Sequence, residues 1–267
     1  MHALLNGSNH QQYPFKMTGS SIHTIDLNCD MGEGMPTDEA IMPFISSANI
    51  ACGYHAGDEA TIRKTITLCM RYKVAIGAHP GFADRENFGR LDIQLSPEVL
   101  YQQFSEQIFI VKKIAGEMGA TLHHVKPHGA LYNMAAKNEV YATTLVNAVK
   151  DVDPALIFYG LSNSLMIKCA TALHLPAANE VFADRTYLDD GLLTPRSQPG
   201  ALITETAAAV RQALQLVQYG KVQSIHGNSI TVKANTICLH GDGAHAVSFA
   251  QTIFDQLQQN NIRIETI

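Results

Sequence analysis

The stretch Thr24–Glu33, TIDLNCDMGE, joins an alternating apolar run to polar side chains beside a glycine. Side chains of a strand alternate between its two faces, so Asp26, Asn28 and Asp30 share one face. Three polar residues on one face are costly inside a hydrophobic core, but they suit the open end of a parallel barrel. The alternative is that Asp30 and Glu33 only cap the following turn. The stretch predicts a first strand with chemistry at its carboxyl end.

The same pattern returns along the chain. Polar or charged residues beside glycine or proline follow further apolar runs, in the clusters Cys52–Asp58, Gly77–Pro80, Lys126–Gly129, Ala183–Arg185 and His240–Gly243. A structural domain has no need of charged residues at the end of one strand after another. Parallel α/β enzymes do, because their active sites are assembled from the loops at the carboxyl ends of the strands.

Apolar runs alternate with segments of helical spacing. The predicted strands are Thr24–Asn28, Asn49–Cys52, Val74–Ala78, Leu122–Lys126, Leu156–Gly160, Ala178–Phe182 and Thr236–His240. Strict alternation of strand and helix implies a parallel sheet. Because seven units follow one another without a GxGxxG turn after the first strand, we expect an α/β fold with a closed or nearly closed barrel. A doubly wound open sheet is the alternative.

Capping residues mark the helix ends. The predicted helices are Glu59–Arg71 capped by Asp58, a helix from Ser96-Pro97 to about Met118, Glu139–Lys150 capped by Asn138, Ser164–Leu173 capped by Asn163, Ile203–Tyr219 ended by Gly220, and Ala244–Gln259. Residues 221–233 predict a hairpin that turns at Gly227-Asn228. Two long loops, 81–95 and 185–200, break the alternation, and loops of this kind at a catalytic face often act as lids or substrate clamps.

The composition argues against several classes of protein. The 267 residues carry 19 Lys and Arg against 24 Asp and Glu, so the net charge is −5 and no basic block stands out. We therefore expect neither nucleic acid nor an anionic membrane as a partner. The five cysteines are scattered and odd in number, which favours free thiols in a reducing compartment.

Residues 1–21 are polar and lack the apolar stretch of a secretory signal. We interpret them as a flexible leader that adds nothing to the fold, which leaves residues 22–267 as a single barrel domain that carries the catalysis. With no apolar run long enough to span a bilayer, the sequence predicts a cytoplasmic protein.

Two histidines follow the second and third strands. His55 lies between glycine-bearing turns, which let the backbone approach a ligand closely. The neighbouring Asp58 is better explained as a helix cap. His79 directly precedes a Pro-Gly turn, where a single histidine is more often structural. Because it ends a third polar strand, we interpret it as functional.

The fourth cluster brings a lysine and a histidine to one strand face. Alternation places Lys126 and His128 on the same side, with His124 below them. A lysine that points into a barrel end must meet an anion or a carboxylate. A salt bridge from Lys126 to Asp26 or Asp30 is the alternative explanation, and it does not exclude catalysis.

The remaining strand ends suit anion binding. Arg185 and Arg196 can bind a carboxylate or a phosphate, because the planar guanidinium fork matches both groups. The predicted substrate- and phosphate-binding set is Asn28, Asp184, Arg185, Arg196, His240 and Asp242.

The signal for a metal is weak. Asp30, His55 and His79 are of the residue types that hold a divalent ion, but their spacing is dispersed, unlike a compact His-x-x-x-His motif. The chain also lacks a serine in a nucleophile elbow and a G-x-x-x-x-G-K-[ST] loop, so it has no conventional P-loop for ATP.

Taken together, the clusters resemble the LamB/YcsF family, whose members supply the A subunit of bacterial 5-oxoprolinase. The resemblance is carried by Ile25–Glu33, Ala48–Asp58, Gly77–Phe82, Val125–Asn133, Asp184–Tyr187 and His240–Asp242, and it extends from about Ile22 to the end of the chain. Two features depart from many relatives: Leu91 follows Arg90 where a second arginine is common, and the loop Gly34–Asp38 is shorter.

The resemblance implies a seven-stranded deviated barrel like those of glycoside hydrolases and polysaccharide deacetylases. It also implies ATP-dependent opening of the lactam of 5-oxo-L-proline (pyroglutamate) to L-glutamate, with ATP and Mg²⁺ as cofactors and 5-oxoprolinase subunits B and C as partners. The residue types that this chemistry needs are supplied by Asp30, Glu33, His55, His79, Lys126 and His128.

Two other functions remain open. One is a metal-dependent deacetylase or amidohydrolase on the same barrel, with Asp30, His55 and His79 as ligands. The other is a non-catalytic regulatory subunit that binds a small carboxylate. The density of ionisable strand ends argues against the second, because binding alone rarely needs so many.

Overall fold

Seven parallel strands form the closed barrel that the sequence predicts. The structure is a computed structural model, and it describes residues 23–239 and 245–267. The barrel strands are β1 (His23–Met31), β2 (Ser47–Ala51), β3 (Ala75–His79), β4 (Leu122–Val125), β5 (Ile157–Leu161), β6 (Ala177–Phe182) and β9 (Thr236–Leu239). Each of them coincides with one of the predicted strands to within a few residues.

The barrel closes because β1 pairs in parallel with β2 on one side and with β9 on the other. Asn28 lies opposite Ser47 of β2 and opposite Cys238 of β9. The open-sheet alternative is therefore wrong. Outside the ring, β10 (Ile262–Ile264) pairs with the start of β1, a strand that the sequence did not indicate. The predicted hairpin is confirmed as β7 (Lys221–Gln223) and β8 (Ser229–Thr231).

Helices connect the strands. They are α1 (Asp38–Ile41), α2 (Glu59–Tyr72), α3 (Pro97–Glu117), α4 (Gly129–Lys137), α5 (Glu139–Val152), α6 (Leu165–Ala172), α7 (Thr206–Tyr219) and α8 (Ala246–Gln259), with a 3₁₀ turn at Met42–Phe44. Three predicted caps are confirmed: Asp58 accepts from the amide of Thr61, Ser96 from that of Val99 and Asn138 from that of Tyr141. None of the helices within the described residues has the length and apolar character to span a bilayer.

Two helix predictions need correction, and one helix was not predicted. Asn163 does not cap α6, because its backbone is left-handed (φ +64°) and its side chain donates instead to the carbonyl of Thr231 at 2.8 Å. Helix α7 begins three residues after its predicted start, because the amide of Ile203 donates a hydrogen bond to the carbonyl of Asp184 at 2.8 Å. Helix α4 has no predicted counterpart, and Ala244, the expected start of α8, lies outside the described residues.

A network of hydroxyl groups fills the barrel interior around Asp26, which is 1% exposed. Its carboxylate accepts hydrogen bonds from Ser46 (2.6 Å), Ser47 (2.7 Å), Thr236 (2.6 Å) and Tyr159 (3.1 Å). Burial raises the pKa of Asp26, while these hydrogen bonds act in the opposite direction. Asp26 is thus held by strands on opposite sides of the barrel.

Gly77 on β3 leaves room for the ring of His124, which makes a 2.8 Å hydrogen bond to Asn49 Oδ1. A Cβ at residue 77 would overlap that ring. We expect Gly77→Ala to lower the free energy of unfolding by about 1–3 kcal/mol, because the interior cannot expand to accept the methyl group. Urea unfolding followed by circular dichroism measures the change.

Gly116→Ala is the matched control. Residue 116 is an exposed position of α3 where an added Cβ meets nothing within 4 Å. Alanine should stabilise the helix there by about 1 kcal/mol. Similar effects of the two substitutions would contradict the packing of His124 against β3.

Candidate active site

The carboxyl end of the barrel brings the six predicted catalytic residues together. Asp30 and His79 end β1 and β3, Glu33 follows β1, and Lys126 and His128 follow β4. His79, Lys126 and His128 are buried, at 1%, 3% and 5% exposed. The sixth residue, His55, packs against this group from the loop after β2.

Lys126 is the centre of the network. Its Nζ lies 2.9 Å from Asp30 Oδ1, 2.9 Å from Glu180 Oε1 and 3.1 Å from Asn28 Oδ1. Burial alone lowers the pKa of the ammonium group, but the charges of the neighbouring acids outweigh it and raise the pKa well above its usual value. The predicted salt bridge is therefore made with Asp30 rather than with Asp26.

His79 and His128 form a hydrogen-bonded pair whose outer nitrogens are held by backbone carbonyls. His79 Nδ1 lies 2.8 Å from the carbonyl oxygen of Lys126, and His128 Nε2 lies 2.8 Å from that of Phe88. A carbonyl oxygen only accepts, so both of these nitrogens carry hydrogen. The inner nitrogens, His79 Nε2 and His128 Nδ1, are 2.9 Å apart.

Carboxylates face the inner nitrogens. His79 Nε2 lies 3.3 Å from Asp30 Oδ2, and His128 Nδ1 lies 3.4 Å from Glu33 Oε1. Burial and then the charge of Asp30 raise the pKa of Glu33. With neutral imidazoles, only acceptors meet at this point, so the arrangement suits a shared proton or a metal cation between them.

His55 lies against the outer side of the pair. Its ring stacks on that of His128 with the centroids 3.7 Å apart, and its Nε2 is 3.4 Å from Glu33 Oε1. Burial first, and then the nearby His79, lower the pKa of His55 to about 3. The ring is therefore neutral at physiological pH.

The residues that could hold a metal differ from the predicted set. Ligand atoms of Asp30, Glu33, His79 and His128 all lie within 4.8 Å of one another. Glu33 and His128 thus take the place expected for His55. Two imidazole nitrogens and two carboxylate oxygens suit a divalent transition metal, and Glu33 Oε1 is buried with no hydrogen-bond partner among the described residues. The donor set fits such an ion.

A cavity of about 500 Å³ opens above this cluster. The two long loops contribute to its wall, with Arg90 from one loop and Arg196 from the other. The first loop is also tied to the chemistry, because Phe88 has a left-handed backbone (φ +57°) and its carbonyl binds His128. Such a backbone is strained for a bulky residue and is typical of functional sites.

The predicted binding residues fall into different places. Arg185 and Arg196 line the cavity. Asn28 is fully buried beneath Lys126, where it also donates to Glu180 Oε1 at 3.0 Å. Asp184 is not among the described residues of the cavity wall, and His240 and Asp242 lie outside the described residues.

Glu180 and Tyr132 adjoin the cluster, although the sequence did not predict either residue as functional. Glu180 is fully buried on β6, and Tyr132 lines the cavity from α4. Burial and then the charge of Glu180 raise the pKa of the Tyr132 hydroxyl. Glu180 carried a signal, since it is the single charged residue of an otherwise uncharged strand. Tyr132 carried none beyond its place after the Lys126 cluster.

The sequence profile of the LamB/YcsF family matches residues 25–267. The chain belongs to this family. A protein of Shouchella clausii that is named as the A subunit of 5-oxoprolinase is 48% identical over 249 residues, which are 91% of this chain and 98% of that protein. A protein of the same name from Bordetella parapertussis is 48% identical over 246 residues, which are 90% of this chain and 98% of that protein.

Two solved structures have folds similar to that of this chain. A lactam utilization protein from Thermus thermophilus superposes on the LamB/YcsF chain with a TM-score of 0.86 at 38% identity, covering 91% of this chain and all of that one. A family 4 carbohydrate esterase from Streptomyces lividans reaches a TM-score of 0.52 at 12% identity, covering 91% of each chain. The second likeness concerns the fold alone.

Because the His55 ring is neutral in the fold, we expect the stability of the protein to fall as the pH is lowered. Its pKa in the folded protein, about 3, lies below the ordinary value of 6.5, so the unfolded chain binds the extra proton between these limits. The contribution of His55 to stability is complete above pH 6.5 and falls as the pH is lowered. Relative to His55→Phe, we expect the wild type to lose up to about 1.4 kcal/mol per pH unit below pH 6.

Urea unfolding of both proteins between pH 4.5 and 7.5 measures this difference. His226→Gln removes an exposed imidazole and serves as the control for the loss of one titrating group. A difference between wild type and His55→Phe that stays constant over the range would show that the fold does not lower the pKa of His55.

Proposed function

We propose that this LamB/YcsF protein is the A subunit of a multi-subunit 5-oxoprolinase, which couples ATP hydrolysis to the opening of 5-oxo-L-proline to L-glutamate. The observation that carries the proposal is the buried cluster of an ammonium group, carboxylates and paired imidazoles at the base of the cavity. The names of the relatives from Shouchella clausii and Bordetella parapertussis, and of the lactam utilization protein, support the substrate class.

The reaction needs activation because an unstrained lactam is a poor electrophile. Transfer of the γ-phosphoryl group of ATP to the lactam oxygen gives ADP and a phosphorylated imidate. Water adds to the activated carbon, the ring nitrogen takes a proton, and the carbon–nitrogen bond breaks to leave an acyl phosphate. A second water then releases phosphate and L-glutamate. The balance is one ATP, one lactam and two waters to ADP, phosphate and glutamate.

The cluster offers groups for the ring-opening steps. Asp30 and Glu33 face the inner nitrogens of the imidazole pair, so a proton can pass between carboxylate and imidazole. We assign water activation to these carboxylates and protonation of the departing nitrogen to the pair His79–His128. Lys126 stabilises negative charge on the oxygens of the opening ring. The stacked His55 holds the pair in place.

A divalent metal also fits the group Asp30, Glu33, His79 and His128. When bound there, such an ion would lower the pKa of a coordinated water and polarise an oxygen of the substrate.

Turnover should depend on the ion pair at the base of the cavity. In the assembled enzyme we expect Lys126→Met and Asp30→Asn each to lower kcat by at least about a hundredfold, the scale for loss of a charged or acid–base group. Coupled release of glutamate and phosphate is the measurement. Lys112→Met and Asp153→Asn are matched controls, because they break an ion pair of 2.8 Å that is partly exposed.

Stability must be followed in the same variants. Lys126→Met leaves two carboxylates without their cation and should cost about 3–5 kcal/mol, which Glu180→Gln in the same chain should partly restore. A folded Lys126→Met chain with a near-normal rate would return Lys126 to a purely structural role.

The chain alone should not turn over 5-oxoproline with ATP. It has no Gly-rich phosphate loop with Lys and Ser or Thr, and the relatives' name denotes one of several subunits. We propose that subunits B and C supply or position the phosphoryl donor with Mg²⁺. The test incubates the chain with 5-oxoproline, ATP and magnesium, with and without these subunits, and measures glutamate and phosphate. Stoichiometric formation of both by the chain alone would overturn the dependence.

The second candidate is a metal-dependent amidohydrolase, favoured by the ligand group Asp30, Glu33, His79 and His128. It predicts lactam or amide hydrolysis without ATP that is abolished by a chelator and restored by a divalent metal. This candidate would be selected if the chain did not turn over 5-oxoproline with partner subunits and ATP, but hydrolysed an amide in a metal-dependent reaction. Ligand binding without any turnover would select a regulatory subunit instead.

A further inference from the structure

Arg185 is a buried cation in the cavity wall. Its side chain follows β6, is 4% exposed and lines the cavity. The guanidinium donates from Nη2 to the carbonyl oxygen of Thr194 at 2.7 Å and from Nε to that of Ala201 at 3.4 Å. Across residues 23–239 and 245–267 it forms no ion pair with a carboxylate. The groups that contact its charge there are neutral dipoles.

This arrangement is costly unless an anion completes it, because a buried charge needs a counter-charge as well as hydrogen bonds. Burial, and then the charge of Arg196, lower the pKa of Arg185 to about 10, while Asp184 acts in the opposite direction. The group remains a cation at neutral pH. A second arginine close enough to affect it adds positive potential on the same side of the cavity.

The cluster at the base of the cavity carries more carboxylates than ammonium groups. There the single ammonium of Lys126 faces two carboxylates, Asp30 and Glu180, at 2.9 Å each. Glu33 adds a further acidic group beside the imidazole pair. An anionic ligand is therefore directed away from this cluster and toward the arginines.

We propose that Arg185 binds the carboxylate of 5-oxoproline and that Arg196 reinforces it, which sets the specificity for a lactam that bears an acid. The inference rests on the proposed function and assigns one end of its substrate. The planar fork of arginine matches a carboxylate. The carboxylate adjoins the lactam nitrogen, so its binding at Arg185 leaves the lactam free to face Lys126 and Asp30.

Arg185 could also bind the phosphoryl group, which is the other oxyanion of the reaction. A comparison of ligands distinguishes carboxylate binding from phosphate binding. Binding of 5-oxo-L-proline, of 2-pyrrolidinone and of inorganic phosphate is measured by calorimetry on the chain assembled with its partner subunits. 2-Pyrrolidinone is the same lactam without the carboxylate. Arg185→Met is the test variant, and Arg211→Met, which removes an exposed arginine of α7, is the matched control.

We expect Arg185→Met to weaken binding of 5-oxoproline by at least about tenfold, the scale of a charge-assisted hydrogen bond, and that of 2-pyrrolidinone by less than about twofold. Arg185→Lys should recover part of the loss, because it keeps the charge without the fork. The control should leave all three affinities unchanged.

Three outcomes would overturn the assignment. Equal weakening of both lactams would mean that Arg185 only supports its loop through Thr194 and Ala201. Weakening of phosphate binding alone would make it a phosphoryl subsite. No change for any ligand would leave it without a role in binding. An assembled wild-type enzyme that neither binds nor opens 5-oxoproline would instead contradict the proposed function.

Discussion

The ammonium group of Lys126, buried between the carboxylates of Asp30 and Glu180, is the interaction on which the site depends. The three side chains come from β1, the end of β4 and β6, so one contact ties distant parts of the barrel together. Removing Lys126 leaves two carboxylates without their cation, which is far more costly than losing a surface ion pair. The same contact places an acid–base cluster where little water reaches it.

Backbone carbonyls determine which ring nitrogens of the imidazole pair carry hydrogen. The carbonyl groups of Lys126 and Phe88 fix which nitrogens of His79 and His128 carry hydrogen, and so which lone pairs face Asp30 and Glu33. Phe88 reaches this position only through a left-handed backbone. The loop 81–95 is thereby coupled to the chemistry as well as to the cavity wall, and a change in the loop would alter the imidazole pair.

The polar interior of the barrel has two parts with different purposes. Around Asp26, hydroxyl groups satisfy one buried carboxylate from several strands, and this part needs no ligand. At the carboxyl end, donors and acceptors are unequally matched: acceptors meet between the imidazoles, and a cation is held by carbonyls at Arg185. A substrate or an ion can satisfy these unmatched groups, and they lie at the end where parallel barrels place their active sites.

The sequence by itself determined the seven strands, most helix caps, the family resemblance and the shared face of Asp26, Asn28 and Asp30. These follow from local periodicity and from short-range hydrogen bonds, which neighbouring residues decide. Asn163 failed as a cap because a distant carbonyl, that of Thr231, competes for its side chain. Only the tertiary structure decided that Lys126 pairs with Glu180, that Glu33 and His128 replace His55 in the group that could hold a metal, and that no carboxylate of the described residues pairs with Arg185. Those facts depend on which side chains meet across a closed barrel, and strand periodicity specifies a face without specifying the partner on the other side.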